Sequence, residues 1–272
     1  MNSVAAILTV YKNDQFDVFR AAISSLYNQS IEKLTIYVQE DGVVSADIHA
    51  FLLSEVDANR VFYLGIRNVN KGFDYSLNEV IKLALAAGHD YIVRMDADDL
   101  SVFDRLEKQF CFMQDNKKVD VCGTYIREFG DQIKYDKVVQ YPLVHDEMLS
   151  FFKKRVPIAH VTAFFRRSYF EKAGFYEVEG HFNNGDTLMW MKGFNAGCKF
   201  ANVNFIGVNV RVSKDFFGRR GGWQKTASDF KNRMTVNKRL NYGFSAYFYA
   251  VAVAIVNMMP PLIKKYAYKY LR

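Results

Sequence analysis

Apolar and polar positions alternate in blocks through the first half of the chain. Residues 4–10 form an unbroken apolar and β-branched run, the pattern of a strand covered on both faces. The period then changes: Phe16, Phe19, Ala22, Ile23 and Leu26 recur at three- and four-residue steps, which predicts an amphipathic helix over 16–28. The same switch repeats downstream. Strands are predicted at 34–38, 60–64 and 90–95, and helices at 47–56 and 75–87, the last closed by Gly88. Such alternation predicts an α/β fold with a mainly parallel central sheet flanked by helices, and ligands at the carboxyl ends of its strands.

The second half is less regular. Helices are predicted at 106–113, 187–195 and 224–240, the last rich in Lys and Arg. Strands are predicted at 119–126 and 161–165, with a strand pair or one long strand over 199–212. From Gly243 to Ile263 there is no charged residue, and 246–259 is apolar almost all round. Pro260 and Pro261 cut this helix short of the ~20 apolar residues that a membrane span needs. A basic, aromatic segment follows, with Lys264, Lys265, Tyr266, Tyr268, Lys269, Tyr270 and Arg272, the composition of an interfacial anchor on an anionic leaflet. The other reading of this tail is a helix docked on the rest of the protein. The chain therefore divides into a catalytic domain, 1–240, and a membrane-associating helical tail, 241–272.

The 272 residues are half hydrophobic and 24% charged, so a packed core is expected. The net charge of +7 favours phosphorylated small molecules or an anionic membrane as partners, since no helix-turn-helix, zinc or RNA-binding signature points to nucleic acid. Three scattered cysteines, Cys111, Cys122 and Cys198, give no disulfide framework and fit a reducing compartment. The opening apolar run lacks a basic flank and a cleavage site, and reads as a buried strand instead of a signal peptide.

The chemistry concentrates at predicted strand ends. Asp96-Ala97-Asp98-Asp99 directly follows the strand at 90–95. Carboxylates two apart at such a position can hold one hard divalent cation that bridges diphosphate oxygens; an acidic, solvated turn is the plain alternative. Asp41-Gly42 ends the second strand, where a carboxylate can meet a base or ribose and a glycine lets the backbone come close. Arg219 and Arg220 lie between glycines in 213–223, a composition that suits a loop closing on a diphosphate. Other nucleotide chemistries lack their motifs. There is no Gly-x-Gly-x-x-Gly for a dinucleotide, and 9–13 is not the Gly-rich, Arg-containing loop of a nucleotidylyltransferase. A phosphatase would carry its Asp nucleophile after the first strand, which this chain does not.

In this order the motifs resemble glycosyltransferase family 2, and most closely its bacterial O-antigen, capsule and amylovoran-type members. The resemblance spans 4 to about 223. It rests on Ala6-Ile7-Leu8-Thr9-Val10-Tyr11, Glu40-Asp41-Gly42, Asn70-Lys71-Gly72 with Ser76-Leu77-Asn78, Asp96 to Asp99, Arg105-Leu106-Glu107-Lys108-Gln109, and Pro157-Ile158-Ala159-His160 with Phe165-Arg166-Arg167. It implies a GT-A fold, with 1–100 as the nucleotide-sugar half and 101–240 as the acceptor half. It implies Mn2+ or Mg2+ on Asp96 and Asp98, and contacts to a UDP-sugar from Thr9, Tyr11, Asp41, Gly72, Ala97, His160, Arg219 and Arg220. Read alone, His160 is as readily a structural residue, and 105–109 is a charged run on a solvated helix face.

An inverting transfer needs a general base for the acceptor hydroxyl. In the resembled family this is an Asp in a Glu-Asp pair, and the matching residue is Asp186, which could alternatively just cap the next helix. Gly185 stands in place of the Glu. The implied activity is inverting, metal-dependent transfer of one sugar to an undecaprenyl-diphosphate-linked saccharide, at the cytoplasmic face of the bacterial inner membrane. The alternative is a non-catalytic nucleotide-sugar-binding or scaffolding subunit, for which Gly185 is the one supporting feature.

Overall fold

The computed structural model describes residues 3–130, 137–178, 185–212 and 223–259. β1 (Val4–Val10) lies at the heart of one nine-stranded sheet, between β2 (Leu34–Glu40) and β4 (Tyr91–Arg94), and pairs parallel with both. Its alternate residues explain the unbroken apolar run. Val4, Ala6, Leu8 and Val10 enter the core under one face, while Ala5 and Ile7 enter the core under the other. The first core is covered by α1 (Phe16–Tyr27), α2 (Ala46–Asp57) and α4 (Arg105–Asp115). The second is covered by α3 (Phe73–Ala86), α5 (His145–Phe152), α6 (Arg167–Ala173) and α7 (Gly185–Asn195).

The α/β arrangement is the expected one. The sheet runs β3 (Tyr63–Gly65), β2, β1, β4, β8 (Phe164–Arg166), β6 (Val121–Phe129), β9 (Phe200–Arg211), β5 (Leu100–Ser101), with β7 (Lys137–Val139) on β6. The first four strands are parallel to one another, and β6 is parallel to β9. β8 runs antiparallel to both β4 and β6, so it joins the two parts of the chain into one sheet.

Two sequence expectations need correction, and one open alternative is settled. The strand expected at 161–165 begins only at Phe164, because His160–Thr162 forms a 3-10 turn in which the Thr162 N–H donates to Ala159 and the Ala163 N–H to His160. Residues 200–211 are one strand; the shift of register on β6 near Thr124 and Tyr125 is what breaks the simple alternation. The run 105–109 is solvated only in part: Glu107 and Lys108 are exposed, but Arg105 and Gln109 are 0% exposed.

α8 (Trp223–Arg239) and α9 (Phe244–Met258) close the described chain. Ala246 and Ala250 are buried, so α9 does dock on the protein. Its other side is apolar and open: Phe244 and Phe248 are 85% and 75% exposed, and Val251, Ile255 and Met258 continue the same stripe. No helix among the described residues is long and apolar enough to cross a membrane. The basic, aromatic segment after Pro260 lies outside the described residues.

Candidate active site

A cleft of roughly 670 Å³ opens at the carboxyl ends of β1, β2 and β4. Thr9, Tyr11, Asp41, Gly72, Asp96, Ala97, Asp98, His160 and Asp186 all line it. Arg219 and Arg220 lie outside the described residues.

The first wall is built from three loops. Tyr11 follows β1, and its N–H donates to Asp14 Oδ2 at 2.9 Å while Asp14 N–H returns a bond to the Tyr11 carbonyl, closing the turn. Asp41 follows β2 and organises the next loop: its Oδ1 accepts from the Lys71 N–H at 2.8 Å and from Arg67 at 2.7 Å, and its Oδ2 accepts from the Gly72 N–H at 3.0 Å. Asp41 is thus a clasp as well as part of the wall. Two glycines make this approach possible. Gly72 has φ +97°, and Gly42, with φ +84°, brings its Cα so near the loop that an added Cβ would stand 2.9 Å from the Asn70 nitrogen.

The acidic end of β4 supplies the second wall. One carboxylate oxygen from each of Asp96, Asp98 and Asp99 lies within 4.8 Å of the others. β9 pins this turn: the Arg211 N–H donates to Asp99 Oδ1 at 2.8 Å, and Arg211 Nε donates to the Asp98 carbonyl at 3.2 Å. Burial, then the charges of Asp96 and Asp98, pushes the Asp99 carboxyl well above the usual carboxylate range. Among the described residues, six aspartates line the cleft with two arginines and one histidine, so its lining is predominantly acidic. A hard, all-oxygen donor set of clustered carboxylates fits Mg2+ or Mn2+, with Asp96, Asp98 and Asp99 as the groups that would hold it.

The third wall is formed by α7 and the 3-10 turn. Asp186 Oδ1 accepts from the Thr187 N–H at 2.7 Å, in the first turn of α7, and burial raises its carboxyl above the usual range. His160 Nε2 and the Tyr176 hydroxyl are 2.6 Å apart, and the His160 ring packs on Phe73, Tyr176 and Trp190. Burial, helped by the Arg94 charge, keeps this imidazole neutral well below its ordinary pKa. Asn78 holds the Tyr176 backbone from both ends, accepting its N–H at 2.9 Å and donating to its carbonyl at 2.8 Å.

Several residues of the site are absent from the sequence expectation. Arg94 lines the cleft, pairs with Asp96 and lies 5.0 Å from the Phe73 ring, while its Nε and Nη1 have no hydrogen-bond partner among the described residues. An arginine inside an otherwise apolar strand was the available signal. Asp99, the third carboxylate of the motif, also belongs to the cluster. Arg105 braces the whole: it donates to the Arg94 and Val161 carbonyls, each at 3.0 Å, and to Gln109 Oε1 at 2.9 Å, while Gln109 donates to the Thr162 carbonyl at 2.9 Å. The run after the acidic motif therefore ties the β4 end to the turn that carries His160.

Comparison with known proteins adds an independent line. A family model described as glycosyl transferase family 2 matches residues 6–174. An uncharacterized glycosyltransferase of Haemophilus influenzae is 30% identical over 232 residues, covering 84% of this chain and 82% of its own. The UDP-Gal:alpha-D-GlcNAc-diphosphoundecaprenol beta-1,3-galactosyltransferase of Escherichia coli is 23% identical over 270 residues, 97% of this chain and 94% of its own. Among solved structures, the mannosyltransferase PcManGT of Pyrobaculum calidifontis, in complex with GDP-Man and Mn2+, superposes with a TM-score of 0.62 at 14% identity, over 98% of this chain and 78% of that one.

Proposed function

The chain belongs to glycosyl transferase family 2 and has a GT-A fold, and on that footing we propose that it transfers a single sugar from a UDP-sugar, with inversion, to a lipid-diphosphate-linked saccharide in bacterial surface-polysaccharide assembly. The observation that carries this reading is the meeting, in one cleft, of the carboxylate cluster at the end of β4 and the lone Asp186 at the start of α7. The cleft lies within the range of small-ligand pockets.

Thr9, Tyr11, Asp41 and Gly72 form the nucleoside wall, and Asp96 and Asp98 face the diphosphate. A divalent cation bound there would neutralise the charge that gathers on the departing nucleoside diphosphate. Asp186 takes the proton of the acceptor hydroxyl as that oxygen attacks the anomeric carbon. The bond from that carbon to the diphosphate oxygen breaks, and the leaving oxygen keeps its electron pair. Oδ1 of Asp186 is engaged by Thr187, so Oδ2 is the oxygen left to accept the proton.

Three features support a lipid-diphosphate acceptor at a membrane surface. A second cavity of roughly 410 Å³ shares Ile126, Tyr141, Val156 and Val210 with the cleft. Its other walls carry Lys154 and Arg233, suited to a diphosphate, and Val253 and Ala254 of α9, suited to a lipid chain. The exposed apolar stripe of α9 gives the protein a face to lay on a bilayer. The Escherichia coli relative has a diphosphoundecaprenol-linked acceptor in its name.

The test is nucleotide release by the purified full chain with Mn2+, a panel of UDP-sugars and a synthetic saccharide-diphosphate-lipid, alongside Asp98→Ala and Asp186→Asn. Release that needs acceptor, metal and both aspartates is the expected result. A chain that binds no UDP in the presence of metal refutes the reading.

A further inference from the structure

Gly185 opens α7 immediately before Asp186, and it is buried. Its φ lies in the ordinary range, so the backbone does not demand a glycine there. Space does. A Cβ built at position 185 would overlap both carboxylate oxygens of Asp74 and stand 2.5 Å from Asp74 Cγ. The missing side chain is replaced by another residue's carboxylate, which reaches in from the first turn of α3.

We propose that Asp74 is the second carboxylate of the acceptor site, delivered from α3 into the room that Gly185 leaves, and that it is a positioning residue acting through Asp186. The proposal rests on the transferase reading above. A carboxylate beside the general base raises the base's affinity for a proton, which helps it draw one from an acceptor hydroxyl. The surroundings agree. Asp74 makes no hydrogen bond among the described residues, and its carboxyl is pushed up to about 6 by burial and then by the charge of Asp186. Arg94 offsets part of this repulsion, and the buried Tyr176 hydroxyl lies within the field of both aspartates. A buried carboxylate with no hydrogen bond, set against a like charge, weakens the fold, and such arrangements mark working sites. The same geometry accounts for the absent Glu at position 185: the chain has moved the carboxylate to another element and has not lost it.

The pairing can be tested by exchange. Asp74→Ala, Asp74→Asn, Gly185→Glu and the double variant Asp74→Ala/Gly185→Glu are assayed in the full chain for sugar transfer, and each for Mn2+-dependent UDP binding. Asp74→Ala and the near-isosteric Asp74→Asn are expected to lose about tenfold or more in kcat, with donor KM and UDP affinity unchanged, since one pH unit of base strength is worth up to about tenfold. Gly185→Glu alone is expected to fail, because it collides with Asp74. The double variant is expected to recover activity well above Asp74→Ala, since it returns a carboxylate to the same space from the other side. Wild-type kcat in both single Asp74 variants, or a double variant no better than Asp74→Ala, overturns the pairing while leaving the transferase reading intact. A wild-type chain that neither binds UDP nor turns over any sugar nucleotide overturns that reading, and the pairing with it.

Discussion

Replacing Asp74 by Asn should make the protein more stable at neutral and alkaline pH. The carboxyl titrates near 6 in the folded chain, against an ordinary 3.8. Below about 3.8 both folded and unfolded forms hold the proton, so the group has no effect on stability. Between those two values the unfolded chain releases the proton while the folded chain keeps it, and stability falls as pH rises. Above about 6 the full penalty applies. At ~1.36 kcal/mol per pH unit the gap is worth about 3 kcal/mol. Asp74 keeps some exposure, and solvent screening leaves about 1 to 3 kcal/mol. Asn has nearly the same shape and no charge, so it removes this penalty. For a chain of this size the gain corresponds to a rise in Tm of roughly 2 to 10 °C. Urea and thermal unfolding followed by circular dichroism at about pH 8 and about pH 4 measure it, the wider pH difference bracketing the titration. The Asn variant should be the more stable at the higher pH and equal to wild type at the lower. A variant less stable at the higher pH would show that Arg94 holds the Asp74 carboxylate more strongly than Asp186 repels it, and would refute the reasoning.

Three further outcomes follow from the same geometry. Asp98→Ala should weaken Mn2+-dependent UDP binding by roughly 100-fold or more in calorimetric titration, with the fold intact, because one of three clustered oxygen ligands is gone. Arg105→Met should destabilise by about 3 to 5 kcal/mol in urea unfolding, since it strips the buried Arg94 and Val161 carbonyls of their donor. The double variant Phe244→Ser/Phe248→Ser should reduce sedimentation with anionic phospholipid vesicles by at least about tenfold, at ~1.5 to 3 kcal/mol for each buried Phe, with UDP affinity unchanged.

The sequence made the first half of the fold readable because its signals are local. An apolar run such as 4–10 states by itself that both faces of a strand are covered, and the two cores bear this out residue by residue. The acidic motif is legible for the same reason: three carboxylates within four residues, directly after a strand, share one strand end whatever the rest of the chain does. What stayed hidden depends on partners far along the chain. A charged or amide residue looks the same in sequence whether it faces water or the core, so Arg105 and Gln109 read as a solvated run when they are fully buried between β4 and the turn at His160. Asp74 does not stand out in the sequence, because its meaning lies in a glycine on a different helix. The strand after the 3-10 turn is only three residues long, below what alternation can define, yet it links both parts of the sheet.

Arg94 shows why these distant parts work as one site. It sits at the end of β4, and its guanidinium pairs with Asp96 on the diphosphate side. The same charge offsets part of the upward push that burial gives the carboxyls of Asp74, Asp186 and Asp99, and adds to the burial that keeps His160 neutral. Buried charges interact over a longer range than solvated ones, so one guanidinium can serve carboxylates from α3, α7 and the acidic turn together. It is fixed from two directions. The Phe73 ring packs on it, one residue from Asp74, and Arg105 binds its backbone carbonyl. The neighbour of Asp74 and the residue that braces the acidic turn therefore both contact the same arginine. On the proposed reading, the carboxylate that serves as base and the carboxylates that would hold the metal both lie in the field of Arg94, so replacing Arg94 is expected to disturb the two together.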